Sequence, residues 1–521
     1  MTESVLGHLM LAFDGLDLPE PMRRRLTERP AAGVTLFRHH NVESPGQVRR
    51  LTDAIQACAP EGRPYLVAID QEGGQLLGLG QGSTPFPGNM ALGAADDPEL
   101  TRRVAMAIGR ELLAVGVNVN YAPVADLATN PANPSLGVRS FGDDPARVAE
   151  HVAAFVTGLE SVGVAASIKH FPGKGDAGVD THHELATVRR SLAELEAREL
   201  IPFHAGIGAR ASVVMSGHFA LPELAGDGRP ATLARQIMFD LLRGRLGFAG
   251  VSISDSFDMD ALSPGAGRMA DAVTGLNAGL DLLLLGGRSE HAAFDAALTR
   301  ASAAGEIDEP TSSAGLERVA ALRRRLAGVA VAAAATVGGD EHRDLAAETA
   351  RRAVTIVRDV PGLLPLRPAV EASVLVIMPR PVDRTPADTS SDVSPGLAAS
   401  VRRHHRAVVE LVVAHAPDDE EVAAAAAAAR AADVVILGTI SASLEPRQAA
   451  LAGAVLAAGR PTVTVALRTP WDLQAYPDSG THLCTYSILE PSLAALADVL
   501  FGSAPATGRL PVAAGGGAGS G

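Results

Sequence analysis

Eight short runs rich in β-branched residues and leucine recur through the first 290 residues of this 521-residue chain, with longer segments of helical spacing between them. They occupy residues 9–13, 34–37, 65–70, 117–123, 164–171, 212–218, 251–255 and 281–285. Short apolar runs alternating with helical segments are the pattern of repeated βα units around a parallel sheet. Eight such units predict an α/β chain whose strands close into a (β/α)₈ TIM barrel. Several runs end in groups that do chemistry: Asp70, Lys169 with His170, His218, and Asp255. In a barrel of this kind the active site lies at the carboxyl ends of the strands, so these positions are expected to meet.

A chain of this length exceeds what a single hydrophobic core supports, which predicts a second domain. After residue 317 an Arg-rich and then Ala-rich helical stretch runs to 335 and ends at Gly338 and Gly339, reading as a linker. Runs at 374–378, 408–413, 434–438 and 463–467 then alternate with helical segments such as the Ala-rich 420–432. The expected organisation is a catalytic barrel over residues 1–335, a smaller α/β sandwich over 345–512, and a flexible Gly-rich tail at 513–521. Residues 379–395, rich in Pro, Asp, Ser and Thr and without periodicity, predict a mobile surface loop.

Apolar residues make up 47% of the chain and charged residues 20%, the balance of an ordinary soluble globular protein. A formal net charge of -14 argues against nucleic acid or an anionic membrane as a partner, because both require clustered cations. Cys58 and Cys484 stand far apart without metal-ligand spacing and read as two buried structural thiols. The first residues lack the basic start and apolar core of a secretory signal, and no run reaches the roughly 20 apolar residues of a membrane span. A cytoplasmic location is the expectation.

The densest polar segment is KHFPGKGDAGVDTHHELATV, residues 169–188, with two Lys, two Asp and three His. A metal site there is disfavoured by the competing cations Lys169 and Lys174. A phosphate cradle over Gly173, Lys174 and Gly175 lacks the hydroxyl residue that follows the lysine of a P-loop. Proton transfer is the third reading: Asp180, two residues before His182, is placed to accept its Nδ1 proton and aim Nε2 at a leaving group.

Long ordered segments carry a resemblance. They are AIDQEGG at 68–74, NYAPVADLATNPANPSLGVRSFG at 120–142, KHFPGKGD with the Asp-Thr-His at 180–182, MSGHFALP at 215–222 and PATLARQIMFDLLRGRLGFAGVSISDSFDMDAL at 230–262. In these the chain resembles the family 3 glycoside hydrolases, in their bacterial β-N-acetylglucosaminidase branch. The region after 345, ending in TGRLPV at 507–512, resembles that family's accessory sandwich.

The resemblance implies a retaining β-N-acetylhexosaminidase that needs no cofactor or metal and acts on a small carbohydrate substrate. It places the nucleophile at Asp255 and the acid/base at His182 with Asp180 as partner. Asp70, Arg139, Lys169 and His170 fall on positions that hydrogen-bond sugar hydroxyls. For Arg139 and Asp70 buried ion pairing is the competing role, and His218 and Asp126 stay open between structure and function. Such an enzyme suits recycling of cell-wall muropeptides or of chitin fragments. The pattern is broken in places: Gln75 and Gly78 stand where the family carries two arginines, Lys174 where histidine is more frequent, and Ala186 where a Leu-Pro step is usual. A phosphorylase, a β-glucosidase or β-xylosidase of the same family, and a non-catalytic sugar-binding relative are the competing functions.

Overall fold

The computed structural model describes residues 4–180, 184–287, 290–329 and 336–513. Eight strands, β1 (Leu9–Leu11), β2 (Gly33–Thr35), β3 (Leu66–Ile69), β4 (Val119–Asn120), β5 (Ala165–Phe171), β6 (Val213–Ser216), β7 (Val251–Ser256) and β8 (Leu282–Leu284), form a closed barrel in chain order. All neighbours are parallel, and β8 returns to β1 with Leu283 opposite Leu9. Each of the eight expected runs overlaps one of them.

The two-residue period of a strand divides its side chains between two cores. Met10, Ala68, Val213, Met215, Ile253 and Leu284 cluster in the barrel interior, whereas their neighbours Leu9, Leu11, Ile69, Val214 and Leu283 pack outward against the helices. The interior cluster also contains Val319, Leu322 and Leu326 of the helix Glu309–Ala327. Spaced at helical intervals, these three give the helix an apolar face that seals the barrel. The stretch read as the start of a linker is therefore part of the barrel, and the helix ends at Ala327 with Gly328 as its cap. Residues 330–335, where the domain boundary was expected, lie outside the described residues.

Asp281, just before β8, organises that side of the barrel. Its buried carboxylate accepts from Arg243 Nη2 at 2.6 Å, from Arg318 Nη2 at 2.7 Å and from the Ser252 backbone N–H at 2.8 Å.

The second unit is a six-stranded sheet of β9 (Thr355–Asp359), β10 (Val374–Pro379), β11 (Val408–Val413), β12 (Val434–Thr439), β13 (Thr462–Ala466) and β14 (Thr481–Cys484), in the order β9-β14-β13-β12-β10-β11. Only β9 pairs antiparallel. Val374, Val376 and Met378 face one apolar core and Leu375 and Ile377 the other, so helices cover both faces. The four expected runs are β10 to β13. The outer pair β9 and β14 was missed because HLC and IVR carry too few apolar alternations to stand out.

An apolar junction joins the units: Met90, Ala91, Ala94 and Val138 of the barrel loops meet Ala466, Trp471, Cys484, Tyr486 and Val512. The chain end then bonds back to the barrel, from Arg509 N–H to Ala94 O at 2.9 Å and from Asp143 N–H to Pro511 O at 3.1 Å. Cys484 is buried in this junction, but Cys58, just past the helix Pro45–Gln56, is only half-buried; both thiols are free. No helix among the described residues is long and apolar enough to cross a membrane.

Removing one partner of a buried charge pair costs about 3–5 kcal/mol. Asp281→Ala removes the carboxylate shared by two guanidinium groups and is expected to lose stability of that order, measured by urea unfolding; a midpoint equal to that of the wild type would refute this role.

Candidate active site

The carboxyl ends of the barrel strands open on a cavity of about 500 Å³. Asp70 follows β3, Lys169 and His170 lie within β5, Asp255 lies near the end of β7, and Arg139 comes from the 3₁₀ turn Gly137–Arg139 beyond β4; all five line that cavity. Asp255 is half-buried there, and one of its carboxylate oxygens accepts from the Ser256 N–H at 2.9 Å. Asp180 is buried, while His182 falls in 181–183, outside the described residues.

Two cations and two anions are packed together on one side. Arg139 donates to Glu72 through Nε at 2.9 Å and Nη2 at 2.8 Å, a bidentate pair. Lys169 Nζ bridges Asp70 at 2.5 Å and Glu72 at 2.6 Å. Burial by itself would raise the Glu72 carboxyl, but Arg139 and Lys169 outweigh it and hold its pKa at about 2. Burial likewise opposes the Lys169 ammonium, and Asp70 and Glu72 more than offset it, so its pKa lies above the ordinary lysine value. Glu72, Arg139 and Lys169 are thus fixed charges at neutral pH, whereas burial raises the Asp70 carboxyl against the pull of Lys169; Arg139, Lys169 and Asp70 are presented to the cavity. Buried ion pairing and a place on the cavity wall prove to be compatible.

Asp126 organises the loop after β5. Its carboxylate accepts from His170 Nδ1 at 2.7 Å and from the Lys174 N–H at 2.8 Å. Asn133 Nδ2 donates to the carbonyls of Lys174 and Gly175 at 3.1 and 3.2 Å. A phosphate cradle is ruled out by this arrangement, because the Lys174 amide it would use already serves a carboxylate. Lys174 itself is buried and does not line the cavity; burial first, then the nearby Arg139 guanidinium, lowers its pKa. His218 donates from Nε2 to the Ser256 carbonyl at 3.1 Å and accepts at Nδ1 from Thr232 at 2.8 Å, with burial lowering its pKa, so it buttresses the Asp255 turn as a neutral imidazole. Among the described residues no group of three or more His, Cys, Asp or Glu is arranged to hold a metal ion.

The glycosyl hydrolase family 3 N terminal domain matches residues 11–322, and the family 3 C-terminal domain matches 354–515. The chain belongs to glycosyl hydrolase family 3. Its likeness to a solved family 3 β-N-acetylglucosaminidase from Paenibacillus sp. str. FPU-7 has a TM-score of 0.93 at 34% identity and covers 99% of both chains. A β-hexosaminidase A of Pseudoalteromonas piscicida is 34% identical over 391 residues, a match spanning 70% of this chain and 65% of that protein. A β-hexosaminidase of Stenotrophomonas maltophilia (strain K279a) is 40% identical over 283 residues, 53% of this chain and 82% of that protein.

Two departures from the family pattern acquire a physical meaning. A Cβ on Gly78 would stand 2.3 Å from the Asp70 carbonyl, so this backbone admits no arginine there. Beside Gln75, the second domain supplies a guanidinium of its own, since Arg468 Nη2 donates to Gln75 Oε1 at 2.5 Å. Glu72 went unrecognised in the sequence, although an acid two residues beyond Asp70 in DQEGG was the available signal. The cavity-lining Pro386, Ala387 and Thr389 carried none, being in the segment expected to be a mobile surface loop. That segment is instead packed, with Asp388, Thr389 and Ser390 buried.

The Glu72 carboxyl lies near 2 in the fold against an ordinary 4.5. Its ion pairs therefore stabilise the fold above pH 4.5, and the contribution vanishes as pH falls through 2. Glu72→Gln is expected to cost about 3 kcal/mol at neutral pH. The gap from wild type should narrow as pH drops through that window, and a thermal midpoint equal to wild type at pH 7 would contradict it.

Proposed function

We propose that this family 3 glycoside hydrolase releases terminal β-linked N-acetylglucosamine with retention of configuration, using Asp255 as nucleophile and His182 as acid/base. One observation carries the reading: Asp255 shares a single cavity with Asp70, Lys169, His170 and Arg139, a carboxylate facing charged hydrogen-bonding groups suited to sugar hydroxyls. Similarity along the whole chain to a family 3 β-N-acetylglucosaminidase supports the choice of sugar.

In the first step Asp255 attacks the anomeric carbon as His182, protonated, gives its proton to the departing glycosidic oxygen. A glycosyl ester and a free alcohol result. In the second step neutral His182 takes a proton from water, the resulting hydroxide displaces Asp255 from the anomeric carbon, and the sugar leaves with its original configuration. An imidazole with an ordinary pKa of roughly 6.5 shuttles this proton near neutrality without the raised pKa that a carboxylic acid requires. Asp180 holds the tautomer and stabilises the imidazolium. The finer assignment is a cytoplasmic enzyme that recycles cell-wall muropeptides or chitin fragments. The apolar junction keeps the barrel at 1–335 and the sandwich at 345–512 working as one enzyme.

Release of 4-nitrophenol from its N-acetyl-β-glucosaminide, followed by NMR in phosphate and in non-phosphate buffer, tests the reaction. Free β-N-acetylglucosamine in both buffers is expected; sugar 1-phosphate would make the chain a phosphorylase. Asp255→Ala should lower kcat by about 10³-fold or more with the fold intact. His182→Ala should lose about 10²–10⁴-fold on an alkyl glycoside and less on the nitrophenyl one, whose leaving group needs little protonation. Undiminished turnover in the Asp255 variant refutes the mechanism.

A further inference from the structure

Residues 383–392 come from the second domain, yet they form part of the wall of the barrel's cavity. Asp388 anchors this strap internally, accepting from the Ser390 N–H at 3.0 Å and the Ser390 hydroxyl at 2.6 Å. Arg468, in the turn after β13, donates through Nη2 to Asp388 at 2.7 Å and through Nη2 and Nε to Gln75 Oε1 at 2.5 and 3.1 Å. Gln75 belongs to the hairpin that follows Asp70, and it grips the strap in turn. Its side-chain amide donates to Ala387 O at 3.2 Å, and its carbonyl accepts from the Thr389 N–H at 2.8 Å and hydroxyl at 3.0 Å. The Thr389 hydroxyl also accepts from the Leu77 N–H at 3.2 Å. On the outer side Arg38 pairs with Asp392 at 2.8 Å.

These bonds leave Pro386 and Ala387 facing the cavity that holds Asp70 and Asp255. Their side chains are carbon only, proline has no N–H, and the Ala387 carbonyl is already engaged. Hydroxyl recognition falls to the charged groups across the cavity, and the strap suits the C–H face or acetamido methyl of a glycoside.

We propose that the strap is a specificity wall, in which Pro386 and Ala387 set the width of the sugar cavity and the Arg468–Gln75–Asp388 clamp fixes their position. The second domain thereby selects which glycosides the barrel accepts. The inference rests on the reading of the cavity as a sugar site.

Ala387→Leu adds three carbons on the cavity side. Calorimetric titration with N-acetylglucosamine and kinetics on its 4-nitrophenyl glycoside are measured on the full chain. For Ala387→Leu, Kd and KM are each expected to rise about tenfold or more while kcat changes little. The melting temperature should hold within about 2 °C. Thr389→Val, which removes the hydroxyl bridge without adding bulk, should raise KM with kcat retained; it carries the same test should the leucine variant not fold. Unchanged Kd and KM in both variants overturn the wall. If the wild type releases no nitrophenol, the assigned reaction fails while the titration still decides the wall; absence of sugar binding by the wild type overturns both.

Discussion

Closure of eight parallel strands into a ring is the constraint on which the rest of this molecule depends. Strands as short as the two-residue Val119–Asn120 would not hold a sheet alone, but in a closed barrel each has a neighbour on both sides and no edge is left exposed. Because every crossover is of the βα type, all carboxyl ends emerge at the same mouth. Asp70, Lys169, His170 and Asp255, scattered through the sequence, therefore line one cavity. The interior side chains and the helix Glu309–Ala327 fill the space beneath, so the mouth rests on a packed core.

Electrostatics then determine what that mouth presents. Arg139 and Lys169 reach the cavity with Glu72 behind them and Asp70 beside them, two cationic and two acidic groups linked by hydrogen bonds. A buried ion pair contributes little net stability against an apolar replacement. Its effect here is orientation: guanidinium, ammonium and carboxylate hold one another in place at the cavity wall, so they are ordered before any ligand binds. Asp126 does the same for His170 and for the loop that leads to Asp180.

The second unit is more than an appendage to this arrangement. Trp471 and Tyr486 join an apolar junction with the barrel loops, and the chain end bonds across to Ala94 and Asp143. Beside that junction, a guanidinium from one unit and a glutamine from the other hold Pro386 and Ala387 against the cavity.

Much of this was legible in the residues themselves. All eight barrel strands and four of the six sheet strands follow from local apolar periodicity, because a side chain's facing depends on its immediate neighbours along the chain. Polar groups at the run ends marked Asp70, Lys169, His170 and Asp255 for the same reason. Glu72 lay beyond that logic, since its meaning depends on Arg139, 67 residues away. So did the strap at 383–392, whose lack of periodicity signals only that it is no helix or strand, and so did Val319, Leu322 and Leu326, whose apolar face revealed nothing about which cavity it would seal. The amino-acid order by itself determined the elements, their alternation and the chemical types available at the mouth. Tertiary structure alone decided which charges pair, which loop packs and which unit walls the site, because those outcomes depend on contacts between residues far apart in the chain.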